Sequence, residues 1–173
     1  MAAVRSLSMV VAAAAALLAP AQPKAEVPQA TRAQTNYLIG CAGCHGIQGI
    51  AESKVVPQLR DKVGHFLCSE AGRAYVVQLP NTAFADVTDA ELADMMNFVM
   101  FGLGGESSRG GRPYTAEEVG RLRRQPLVRD QLLATRASVI AGLPERCRAV
   151  ADAYNPDMPG VGAKVGPVAM QDR

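Results

Sequence analysis

Thr88-Asp89-Ala90-Glu91-Leu92-Ala93-Asp94-Met95-Met96-Asn97-Phe98-Val99-Met100-Phe101-Gly102-Leu103 reads as a helix from its first residue. Thr88 and Glu91 stand at the spacing of a capping box, in which the hydroxyl accepts the Glu91 amide and the carboxylate reaches back. Behind the box, Leu92, Met95, Met96, Val99 and Leu103 recur at helical spacing and form one apolar face. Gly102, Gly104 and Gly105 end the pattern.

The rest of the chain extends the same reading. Residues 31–40 form a helix, free of Pro and Gly until its end. Residues 46–64, with scattered Gly and Pro57, read mostly as loop. A short helix over 71–79 ends at Pro80, because the residue before a proline is pushed out of the helical region. After a polar, Gly-rich linker at 106–112, a second capping box, Thr115-Ala116-Glu117-Glu118, opens a helix that Pro126 ends. A further helix fits 128–141, and 144–154 adds a turn or two. Strand signals are nearly absent, so the fold class is all-α.

The chain has 173 residues, 49% apolar and 20% charged, with a net charge of only +2. That balance suits a globular protein and argues against binding nucleic acid through its backbone charge. There is no Trp, and aromatic residues make up only 5%. A core so poor in large rings is easier to fill if a flat cofactor occupies its centre. Residues 1–21 read as a cleaved export signal: a positive start, an apolar Ala-rich run over 7–18, then Ala19-Pro20-Ala21. The run is short for a bilayer span and no second one follows, although a retained anchor is the alternative. Export to the periplasm is the expectation, with residues 22–30 as a lead-in and no stable membrane span after cleavage.

The chemistry centres on Cys41-Ala42-Gly43-Cys44-His45. In the pattern Cys-x-x-Cys-His, two thiols on one turn of chain can form thioethers with the two vinyl groups of one porphyrin. The adjacent imidazole then binds the iron through Nε2. A thioredoxin-like pair would follow a strand in a βαβ unit, which is missing here. A zinc site would need a second ligand pair, and only His65, Cys68 and Cys147 remain. One covalent haem c is therefore the expected cofactor. With two cysteines so used, export favours a Cys68–Cys147 disulfide over two buried thiols.

With that motif, residues 31–103 resemble class I c-type cytochromes. The resemblance implies a motif-bearing first helix crossed by a later one. Tyr37, Gly40 and Phe98 would make that contact. It also implies that Pro57, in Pro57-Gln58-Leu59, accepts the axial His45 Nδ1–H, a bond that orients the ring. An ordinary loop proline is the alternative. The family's sixth ligand, a Met before the last helix, has no counterpart. Gln78-Leu79-Pro80-Asn81-Thr82-Ala83-Phe84 carries Leu79 where Met is expected. Substitutes are His65, Met95, Met96 and Met100, with Met158 and Met170 in the tail weaker, or no protein ligand at all.

The organisation expected is a haem domain over 31–105, a helical extension over 113–154 and a disordered tail over 155–173. Arg121, Arg123, Arg124 and Arg129 form either a docking patch for an acidic redox partner or a solvated helix face. The function that follows is one-electron transfer between redox partner proteins, with no separate catalytic site. The rivals are peroxide or gas (NO, CO) chemistry at an open iron, and a haem subunit of a larger dehydrogenase.

Overall fold

Hydroxyl caps start four of the described helices. In α1 (Arg32–Gly40), Thr31 accepts the Gln34 amide while Gln34 returns a bond to the Thr31 amide, a full capping box. In α3 (Glu70–Gln78), the Ser69 hydroxyl accepts the Gly72 amide at 3.0 Å. In α5 (Asp89–Asn97), Thr88 and Glu91 make the reciprocal pair read from the sequence. In α6 (Ala116–Arg123), only half of the expected box forms. Thr115 accepts the Glu118 amide at 3.2 Å, but the Glu118 carboxylate turns inward to Arg73. A buried guanidinium attracts that carboxylate more strongly than an exposed backbone amide does.

The computed structural model describes residues 30–53 and 56–148, and among these there is no strand. The remaining elements include α2 (Ala42–His45), a 3-10 turn (Val63–Cys68), α4 (Pro80–Ala83), a short 3-10 element (Gly105–Ser108), α7 (Leu132–Ala141) and α8 (Glu145–Arg148). A single 3-10 turn, Arg129–Gln131, leads into α7, so the helix expected over 128–141 starts a few residues late. The export signal, nearly all of the lead-in, the end of the extension beyond 148 and the tail with Met158 and Met170 lie outside the described residues. No helix among the described residues is long and apolar enough to cross a membrane.

The helix over 88–103 is not uniform. Past Asn97 it widens into a π-helical segment, Phe98–Leu103, where the Gly104 amide donates to the Val99 carbonyl at 3.0 Å. The Ser108 hydroxyl donates to the Met100 carbonyl, which an α-helical ladder would have given to Gly104. Gly104 has no alternative, because a Cβ there would collide with the Met100 carbonyl oxygen.

One apolar cluster joins the elements. α1 crosses α5 and the π segment, where the Tyr37 and Phe98 rings meet edge to face with centroids 5.6 Å apart. α5 packs on α6, and α3 packs on the 3-10 turn, α6 and α7. Tyr114, Val119, Leu122 and Ile140, all in the expected extension, are buried in the same cluster as Tyr37, Leu92 and Met100. A polar knot locks the seam. Arg73 makes a two-pronged pair with Glu118 at 3.0 and 2.8 Å, and its guanidinium carbon lies 4.1 Å from the centre of the Tyr114 ring. At the far end, Cys68 and Cys147 are joined through sulfur, tying α8 to the 3-10 turn.

Candidate functional site

Cys41, Cys44 and His45 sit where α1 breaks and restarts as α2. The Cys41 amide still donates to the Tyr37 carbonyl at 2.8 Å, and the His45 amide donates to the Cys41 carbonyl at 3.0 Å. Both thiols and the imidazole therefore lie within one turn. The chain leaves that turn through Gly46, at φ +75°, where a side chain would meet the Ile50 carbonyl. Tyr37, fully buried, donates its hydroxyl to the Gly46 carbonyl at 2.6 Å and anchors the exit.

His45 Nδ1 lies 3.0 Å from the Pro57 carbonyl oxygen. A carbonyl only accepts, so Nδ1 carries the proton and Nε2 keeps its lone pair. Burial lowers the His45 pKa below its usual value, and the bond to Pro57 opposes that only in part. The ring is thus held neutral and in one tautomer. Gln58 secures the Pro57 segment by clasping Ala51 with two bonds, 3.0 Å from the Ala51 amide and 2.7 Å to its carbonyl. The Cys41 thiol is pushed up by burial and then by its neighbour Cys44.

These groups open onto an interior cavity of about 110 Å³. Cys41, His45 and Pro57 line one part, and Leu59, Val63, Phe66, Val76, Val99 and the three methionines Met95, Met96 and Met100 line most of the rest. An outer mouth of about 390 Å³ shares Cys41, His45, Leu79 and Thr82 with it and adds Cys44, Pro80, Arg129 and Leu132. Two thiols, a neutral imidazole with a free lone pair and apolar walls are a donor set that fits a covalently held haem. Leu79 stands on the wall, as the place of the expected methionine.

The distal candidates separate. Met95, Met96 and Met100 reach the cavity, all of them buried. His65 is not on its wall. In a 3-10 turn, residues three apart share a face, so Val63 and Phe66 point to the cavity while His65 and Cys68 point away together. His65 lies instead within 4.8 Å of the Cys68 and Cys147 sulfurs. As placed, it does not face the cavity.

Among the arginines of the expected patch, Arg121, Arg124 and Arg129 are exposed, whereas Arg123 is not free for docking. It donates to the Ala83 carbonyl at 2.9 Å, to the Val87 carbonyl at 2.8 Å and to Asp89, closing the end of α4. The residue that the sequence reading passed over is Arg136, buried and on the cavity wall. Its signal was a charge four residues from both Leu132 and Ile140 on an otherwise apolar stripe.

The chain is 30% identical over 115 residues to a cytochrome c-552 of Thermus thermophilus, an overlap of 56% of this chain and 88% of that protein. A second cytochrome c-552 from the same species matches at the same identity, with 78% of its length covered. No family model matches the chain.

Proposed function

Because this chain belongs to the c-type cytochromes, we propose that it holds one haem covalently and passes single electrons between redox partner proteins in the periplasm. Cys41 and Cys44 would carry the thioethers and His45 would be the axial ligand. Haem bound there supplies a one-electron ferric/ferrous couple. The rest is the work of the chain. Pro57 holds the His45 ring in one orientation and raises its basicity. Leu59, Val63, Phe66 and Val76 exclude water, and exclusion keeps the reorganisation that accompanies charge transfer small. The exposed Arg129 at the mouth, with Arg121 and Arg124, would attract an acidic partner and speed encounter. The reading of residues 31–105 as the haem domain, the extension as its cover and export as the route to disulfide formation belongs to the same proposal.

The observation that carries it is the His45–Pro57 bond on an apolar cavity lined by Cys41, with Cys44 at its mouth. The experiment is a spectrum of the reduced protein, with and without carbon monoxide, and a mass of the denatured chain. Haem retained after denaturation, and lost in the Cys41→Ser/Cys44→Ser double variant, supports the attachment. A denatured chain without added mass refutes it. A sharp low-spin spectrum unmoved by the gas supports electron carriage with a sixth ligand drawn from Met95, Met96 or Met100.

Leu79 on the cavity wall favours one second reading, an iron open on its distal side that takes peroxide or a small gas. A high-spin spectrum that shifts with carbon monoxide would replace electron carriage with that chemistry.

A further inference from the structure

We infer that the C-terminal extension is part of the haem site itself, with Arg136 on α7 presenting its guanidinium to a haem carboxylate. The inference rests on the haem assignment proposed above. Leu132, Arg136 and Ile140 stand at four-residue steps on α7 and so share one face. Leu132 lines the mouth, Ile140 lies in the core, and Arg136 between them is on the inner cavity wall with only 5% of its surface exposed. An arginine whose role is only to pack a helix lays its stem on apolar surface and carries its head to water. Arg136, buried along its length, does not.

The walls explain what the head meets. Among the described residues that line the cavity, Arg136 is the only one with a permanent positive charge, and most of its neighbours there are apolar. Tyr75 lies beside it, near enough for the Arg136 charge to act on the phenol. Haem brings two carboxylates into any pocket it occupies, and an apolar wall does not solvate them. A guanidinium offers a planar fork that takes a carboxylate through two parallel bonds. A cation fixed there also favours the reduced iron, which carries one positive charge fewer.

The holoproteins of Arg136→Gln and Arg136→Lys test this against the unaltered protein. A pyridine haemochrome spectrum first shows whether haem c is attached; if it is absent from the unaltered protein, the underlying assignment fails. With haem present in all three, the Arg136→Gln protein should show a fall in midpoint potential. At a fixed potential its ferric to ferrous ratio should rise roughly tenfold, about 59 mV for one electron. Arg136→Lys, which keeps the charge, should move it much less. The unaltered holoprotein gives an independent reading, whether or not the variants fold. The propionate bending band of its resonance Raman spectrum should lie at the position of a hydrogen-bonded carboxylate. An unmoved midpoint in Arg136→Gln, or a propionate band at the position of a water-exposed haem, overturns the inference while leaving the haem assignment standing. The same holds if added formate shifts the spectrum through Arg136 while the propionate band stays put, which would make the site one for a small anion.

Discussion

Glu118 shows how much one side chain can hold. It is buried and joined to Arg73, also buried, and to the exposed Arg112. Removing one partner of such a pair leaves an uncompensated charge inside the protein, so Glu118→Ala should cost about 3–5 kcal/mol in urea unfolding. Burial alone would raise the Glu118 carboxyl, but its bonds to Arg73 and Arg112 outweigh burial and hold it below the usual carboxylate range. A carboxyl lowered by folding stabilises the protein above its unfolded pKa, about 4.3, and loses that contribution as pH falls through the folded value. Unfolding curves from pH 7 down to acid should therefore show a steeper loss in the unaltered protein than in Glu118→Gln. Tyr37→Phe is a milder case at the motif. It strips the Gly46 carbonyl of its 2.6 Å donor and should cost about 1 kcal/mol while leaving the proposed haem attachment intact, checked by unfolding and by the mass of the denatured chain.

At the scale of elements, the 3-10 turn Val63–Cys68 decides which side chains reach the cavity, and α3 holds it in place. Their contact depends on Gly72, because a Cβ there would collide with the Phe66 carbonyl oxygen. Backbone cannot retreat as a side-chain tip can. Gly72→Ala should destabilise the protein by roughly 2 kcal/mol in urea unfolding, and a near-neutral result would mean that α3 slides freely on the turn. The capped helices at Thr88 and Thr115 were legible because their signals are local, a hydroxyl three residues from an acid before an apolar stripe. The 3-10 turn was not, since its residues carry no helical period; it is set by what Val63 and Phe66 pack against. The same is true of the π segment, which arises from Ser108 reaching the Met100 carbonyl from outside the helix.

The described residues form one apolar cluster, closed by a tie between residues 79 apart in sequence, Cys68 and Cys147. Cross-linking so distant a pair restricts the unfolded chain, so Cys147→Ser should lower stability by about 3 kcal/mol. Urea midpoints under oxidising conditions would check this, and an unchanged midpoint would mean that packing alone holds the extension. The extension's residues Tyr114, Val119 and Ile140 share the core with Tyr37 and Leu92. It is therefore packed into the same core rather than appended to it.

What the sequence determined by itself is what short spacing can carry: the helical class, the capped starts, and a turn that presents two thiols and an imidazole together. The Pro57 carbonyl was within its reach too, though only through resemblance, since nothing local distinguishes an acceptor proline from any loop proline. Tertiary structure alone decided the rest. It turned His65 from the cavity, drew Glu118 off its cap to Arg73, and brought Arg136 to a wall that begins almost a hundred residues earlier. Each of these depends on which surfaces meet. A burial or a long-range charge pair is a property of two distant segments in contact, and neither segment records the other.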